Sequence, residues 1–388
     1  MNDFELTHGM NRRLEKAFKA EMLSGADPLI DDNNIDIDTY YKMIGLDSSD
    51  EMLSKHRVYL DMNFWIWMRE AAAGNPRSDV IFKLWGKLSD LADRGKVVCP
   101  ISYTVFKELL KQSPERRAKS SEIVDRLAGR YCIVNPQARL KFEVSHFVWK
   151  TLIGVDAIKD VDRYVWMPIS HLIGMPYPVD TNLDVDLRLK MQKSWIKFTS
   201  YLKFSDFCAL TINMDAGMSN RSNFVSYQNT MSDITRESLE SREVLYKIEV
   251  GEMTDLIEAD LHDFAMDLYG RGYRSCLGLE DSGGDLARSI ACIVTAGLKT
   301  KKITTQLPQY HIGGALHTNI RWMRRPHDKN DLEDQHHAIA ALPYCDAFFT
   351  EHGLRESLTC GPFRLHEQYD CFVCSDPAIA LEYVEGLT

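Results

Sequence analysis

The sequence predicts an α/β fold with a mostly parallel central sheet, interrupted by a large helical insertion. Two short apolar runs of strand length, Val58-Tyr59-Leu60 and the segment 97–101, alternate with helical patterns between residues 57 and 136. Strands separated by helices imply crossovers, and hence parallel pairing. The alternation is lost from residue 137 to residue 326 and resumes from 327 to 388.

Residues 1–56 form a helical N-terminal extension, with an amphipathic helix at 12–22 and an acidic, turn-rich connection in DDNNIDIDTYY. The first part of the core, 57–136, has strands at 58–60, 97–101 and 131–134, the last stopped by Asn135-Pro136. Its predicted helices are 64–73, 79–94, a helix capped by Ser102 and running to Lys111, and 114–128. The insertion, 137–326, is mainly helical, with long segments at 187–204, 232–269 and 284–298. The second part of the core, 327–388, has a helix at 331–342, a strand at 347–350, a short helix at 353–358, a strand at 371–374 and a closing helix at 377–384.

At 388 residues the chain spans about two to three domain lengths. With 45% hydrophobic and 26% charged residues, it has the composition of a globular protein rather than a disordered or fibrous one. No apolar run approaches the roughly 20 residues of a membrane span. The amino terminus places Asp3 and Glu5 before its basic residues and lacks the apolar core of a signal peptide, so a cytoplasmic protein is expected. Nine cysteines, an odd number scattered mostly singly, suit reduced core thiols. The net charge of −10 requires any phosphate-binding surface to be local, and it also leaves room for a site built from carboxylates.

The acids are the informative residues. Asp61 directly follows the first strand, at the carboxyl edge where open α/β sheets bind ligands, and Asn63 stands two residues on. Glu108 falls in the second turn of the helix after the second strand. Asp331 and Asp334 are three apart and share a helix face that His337 continues. Asp346 immediately precedes the strand at 347–350, and Glu351 follows it. Each has an ordinary reading as a helix cap, a surface acid or a dipole-favoured first-turn acid. Gathered together, they would repel one another unless cations neutralised them. Mg²⁺ and Mn²⁺ prefer such oxygen ligands, and their natural chemistry is phosphoryl transfer.

The order of these pieces resembles the PIN-domain nucleases. The resemblance rests on VYLDMNFW, VVCPISYTVFKELL, NDLEDQHHAIAALPYCDAFFTEHGL and CFVCSDPAIALEYV, and it covers residues 57–136 and 327–388. It implies a three-layer α/β/α core and a metal-dependent endoribonuclease that leaves 5′-phosphate and 3′-hydroxyl ends. Carried over residue by residue, it implies that Asp61, Glu108, Asp334 and Asp346 are catalytic and, with Asp331 as an alternative third acid, hold Mg²⁺ or Mn²⁺. Asn63, Thr350 and Glu351 would support them. The chain departs from the family in its long insertion and in Glu351-His352, which stands where a further Asp often occurs.

Arg321, Arg324 and Arg325 flank Trp322 just before the Asp331 helix, a combination suited to binding RNA phosphates and bases. Lys299, Lys301 and Lys302, and Arg116, Arg117 and Lys119, form weaker basic patches of the same kind. Cys371 and Cys374, with His352, Cys360 and His366 nearby, invite a zinc reading, but an odd separation within a strand puts the two thiols on opposite faces. Ser282-Gly283-Gly284-Asp285 lacks the full phosphate-loop pattern, and Asp61-Met62-Asn63 lacks the second Asp of a haloacid-dehalogenase phosphatase. Two other functions use the same residues. One is a nonhydrolytic adaptor with the insertion as its protein-binding part, and the other is a structure-specific DNA nuclease.

Overall fold

The computed structural model describes residues 27–148, 163–172, 184–210, 241–256, 292, 296–297, 306–323, 326–328, 330–360 and 362–387. The predicted helix at 12–22, nearly all of that at 284–298 and much of that at 232–269 lie outside the described residues. In chain order the elements begin with α1 (Ile37–Leu53), β1 (His56–Leu60), α2 (Met62–Ala72), α3 (Asp79–Asp93), β2 (Val97–Val98), α4 (Tyr103–Leu110), α5 (Pro114–Leu127) and β3 (Tyr131–Ile133). There follow α6 (Pro136–Val148), β4 (Trp166–Pro168), α7 (Val185–Thr199), α8 (Phe204–Leu210), α9 (Arg242–Leu256) and α10 (Pro308–Trp322). The chain closes with α11 (Asp331–Ala341), β5 (Ala347–Phe349), α12 (His352–Thr359), β6 (Phe372–Cys374) and α13 (Pro377–Glu385).

The fold is mixed α/β around a four-stranded parallel sheet of order β2-β1-β5-β6. Val58, Tyr59 and Leu60 of β1 and all of β5 are buried, because central parallel strands are covered on both faces and read as unbroken apolar runs. In the register, Val58 pairs with Ala347 and Leu60 with Phe349. The two central strands therefore end level with each other, and the chain leaves both on the same edge. One core cluster joins these strands to the helices through Phe64, Met68, Leu84, Leu88, Val105 and Leu109 among others. Helix α3 packs on α13, and α10 packs on α9, α11 and α12. Among the described residues no helix is long and apolar enough to cross a membrane.

Three expectations need correction. The segment 131–134 does not join the parallel sheet as a full strand. Cys132 forms a single parallel bridge to Ile101, and β3 pairs antiparallel with β4, Tyr131 opposite Pro168. A three-residue strand ending in proline carries too little alternation to show in a stretch that otherwise reads as helical. The acidic connection is not a plain turn either, since Asp36 caps α1 by accepting the Thr39 amide at 2.7 Å, and Ile37–Leu53 is helical. The helix expected at 187–204 stops at Thr199, where the hydroxyls of Thr199 and Ser200 bond back to carbonyls in the preceding turn, and α8 starts afresh at Phe204.

Candidate active site

Asp61 extends β1 by one residue, donating its amide to the Phe349 carbonyl at 3.0 Å, and then caps α2 by accepting the Phe64 amide at 3.2 Å. The cap is real, but it leaves the carboxyl at the sheet's carboxyl edge, and the residue is only 5% exposed. Burial raises its pKa to about 6; His337, the Phe64 amide and Thr350 oppose the rise, and Glu351 adds to it. Thr350, level with Asp61 at the end of β5, is buried. Its Oγ1 lies close enough to favour the Asp61 carboxylate but makes no well-formed hydrogen bond. Asn63 is exposed in the first turn of α2.

Asp334 reaches the same place from the first turn of α11. Its pKa is raised to about 7 by burial first, then by the negative charges of Glu351, Asp331 and Asp61, with His337 pulling the other way. Four carboxylates from three separate stretches thus feel one another at one sheet edge. Asp331 is already engaged within its own turn, where its Oδ2 accepts the Asp328 amide at 2.7 Å and lies 4.0 Å from His327 Nδ1. Asp334 carries no such local bond and is coupled directly to Asp61.

Glu108 on α4 meets α11 through His337, whose Nε2 lies 3.0 Å from Glu108 Oε2. The imidazole's other nitrogen, Nδ1, is 2.8 Å from the Tyr59 hydroxyl, which in turn is 2.7 Å from Ser102 Oγ. Burial alone would lower the His337 pKa, but the bond to Glu108 and the charges of Glu108, Asp61 and Asp334 raise it. In its charged form His337 donates to Glu108 and to Tyr59, and Tyr59 donates to Ser102. In that form the ring places a positive charge inside the acidic cluster. A second tie between the same helices, Lys111 to Glu333 at 2.7 Å, holds α4 against α11.

Asp346 does not belong to this group. It precedes β5, and in a parallel sheet a residue before a strand falls on the edge opposite to one after a strand. The register places it level with Arg57, four residues of strand from Asp61 or roughly 13 Å by strand rise. There its carboxylate accepts the Arg57 amide at 2.7 Å and Nε at 3.1 Å, and pairs with the guanidinium at 2.7 Å. Glu351, assigned only a supporting part from sequence, stands at the correct edge. Parallel topology would have picked it out, because it follows its strand as Asp61 follows β1.

Arg321 is likewise displaced from its expected part. It is buried and ion-paired with Glu249 of α9, so its charge is spent inside the protein. Arg324, Arg325, Lys299, Lys301 and Lys302 lie outside the described residues. In the other basic patch Arg117 is buried and Lys119 pairs with Glu115 at 2.9 Å. Cys371 and Cys374 are both buried free thiols. Among the described residues, no three His, Cys, Asp or Glu side chains converge closely enough to hold a metal ion between them.

A cleft of about 580 Å³ opens beside the acids. Asp331, Asp334 and Glu351 line one side, and Leu316, Asn319, Ile320 and Met323 of α10 and its end line the other, with Arg242 from the start of α9. Arg242 had no sequence signal, since it sits in an unremarkable helical stretch. No protein-family model matches the chain, and comparison with curated proteins and with solved structures returns no match.

Proposed function

We propose that this protein is a cytoplasmic, metal-dependent endoribonuclease with a PIN-like three-layer core and a helical insertion at residues 137–326. One observation carries the reading. Asp61 and Asp334 are gathered at the carboxyl edge of a parallel sheet with pKa values raised to about 6 and about 7, and His337 is the positive charge that opposes both rises. Carboxylates assembled at such a cost fit a cation. Asp61, Asp334 and Glu351 share this edge without meeting at one point, so they would hold Mg²⁺ or Mn²⁺ only after their side chains turn toward one another, with Glu108 presented by His337 and Thr350 Oγ1 as a neutral oxygen beside them. Such an ion, when bound, makes its water more acidic and stabilises the charge of a phosphodiester under attack. The protein's own residues orient the donors: the Phe64 amide fixes Asp61, and His337 with Tyr59 fixes Glu108.

The test is incubation of mixed RNA with the protein and Mn²⁺, alongside Asp61→Asn and Asp334→Asn. Cleavage by the parent that leaves 5′-phosphate ends, and its loss in either variant, is the expected outcome. Parallel assays on single-stranded and flapped DNA decide between RNA and DNA as substrate. A second reading, a nonhydrolytic adaptor, is favoured by Glu108 already being bonded to His337. An inert parent protein in all these assays would leave that reading standing.

A further inference from the structure

Arg242 lines the cleft that the acids Asp331, Asp334 and Glu351 share with α10. Its guanidinium carbon sits 5.2 Å from the centre of the Trp322 ring. That contact orients the planar group through its face and leaves its N–H donors unused. Nε is buried and makes no hydrogen bond, and among the described residues Arg242 forms no ion pair. An arginine that shares a cleft with several carboxylates, yet pairs with none of them, is held apart from them. The gap between is suited to a ligand with an anionic group at one end.

The α10 wall beside Arg242 is apolar apart from Asn319. Leu316, Ile320 and Met323 line it, and Met323 is 57% exposed although it is a large hydrophobic residue. A flat apolar group such as an unstacked base would cover that wall, while the phosphate attached to it met the guanidinium. At about 580 Å³ the cleft falls within the size range of small-ligand sites.

We propose that Arg242 and the α10 wall form a nucleotide subsite, taking a phosphate and an unpaired base of a strand whose neighbouring phosphodiester lies at the acids. This deepens the nuclease reading and rests on it for the identity of the ligand. The subsite is built by the insertion rather than by the sheet. It assigns to Arg242 the phosphate contact that the sequence pattern suggested for Arg321. A base paired in a duplex has no free face for the wall, so the subsite selects unpaired strands.

The experiment uses the full chain in EDTA, so that binding is read without cleavage. A labelled single-stranded RNA of about 12 nucleotides and its duplex are titrated by fluorescence anisotropy over a range of salt. The single strand should bind more tightly. Arg242→Gln should weaken it roughly tenfold and lower the salt slope by about 0.7, the value for one lost contact on a single strand. Arg242→Lys should keep the slope while recovering only part of the affinity. Arg163→Gln, which removes an equal charge from the exposed pair with Asp50, should change neither. Thermal melting of each variant separates lost binding from lost folding. A parent-like affinity and slope for Arg242→Gln, or duplex binding as tight as single-strand binding, would overturn the subsite. RNA binding that depends on Arg242 in a protein that never cleaves would instead refute the nuclease and keep the subsite.

Discussion

His337 Nε2 lies 3.0 Å from Glu108 Oε2 while the same ring's Nδ1 lies 2.8 Å from the Tyr59 hydroxyl, so one imidazole joins α11, α4 and the central strand β1. His337→Ala would leave the Glu108 carboxylate without its partner and take from the buried Tyr59 hydroxyl one of its two bonds, leaving the one to Ser102. We expect a loss of about 1–3 kcal/mol in urea unfolding, the usual cost of leaving a buried polar group unsatisfied. His337→Gln can still bond to Glu108 and should cost less than half as much. Equal stability of His337→Ala and the parent would show that the three-element link is not structural.

The raised pKa values of Asp61 and Asp334 give stability a definite pH dependence. An unfolded Asp titrates near 3.9, whereas these two titrate at about 6 and about 7 in the folded protein. Between those limits the folded chain binds more protons than the unfolded chain, so the contribution of these groups grows as pH falls. In EDTA, Asp61→Asn should therefore be more stable than the parent at about pH 8, by on the order of 2 kcal/mol, with the gap closing toward about pH 4. Mn²⁺ should narrow the gap at pH 8 by stabilising the parent. If urea unfolding gives a difference that stays constant with pH, Asp61 is not strained in the folded state.

The parts of the site legible from sequence were those governed by local order along the chain. Val58-Tyr59-Leu60 followed by Asp61 marks a buried strand ending in an acid, and the spacing of Asp331, Asp334 and His337 marks one helix face. The strands of the parallel sheet and most helices of the core were visible for the same reason, since central strands are apolar on both faces and Ser102 marks a helix start. Asp346 and Glu351 were harder because both touch the same strand, and only strand direction within the assembled sheet says which end is the site. Arg242 and Trp322 are 80 residues apart in the chain. No periodicity reports that two helices of an insertion will stack a guanidinium on an indole beside a distant acid.

Gly314 sets how closely α9 and α10 approach. A Cβ placed there would stand 2.7 Å from Val250 Cγ2 and 3.3 Å from Tyr246. Gly314→Ala should therefore cost about 1–3 kcal/mol through overpacking, although alanine is the better helix former. Val250→Ala in the same chain should recover much of that loss, and a double-mutant cycle reads the coupling. Because Arg242 and Trp322 lie on these two helices, the single variant should also weaken RNA binding. A Gly314→Ala protein as stable as the parent would mean that the helices can part without cost.

The last expectation turns on which acid is catalytic. Asp346 is held by Arg57 at the far edge of the sheet, whereas Glu351 is coupled to both Asp334 and Asp61. Asp346→Ala removes a half-buried carboxylate that accepts three bonds from Arg57, and it should lower stability by about 2–3 kcal/mol. Its Mn²⁺-dependent cleavage of RNA, measured well below the melting temperature, should match the parent's. Glu351→Gln removes charge repulsion from Asp334 and should leave stability equal or higher, while cleavage falls at least tenfold. The two variants thus separate folding from chemistry in opposite directions. Cleavage lost with Asp346→Ala and kept with Glu351→Gln would move the site to the other edge of the sheet and refute the arrangement proposed here.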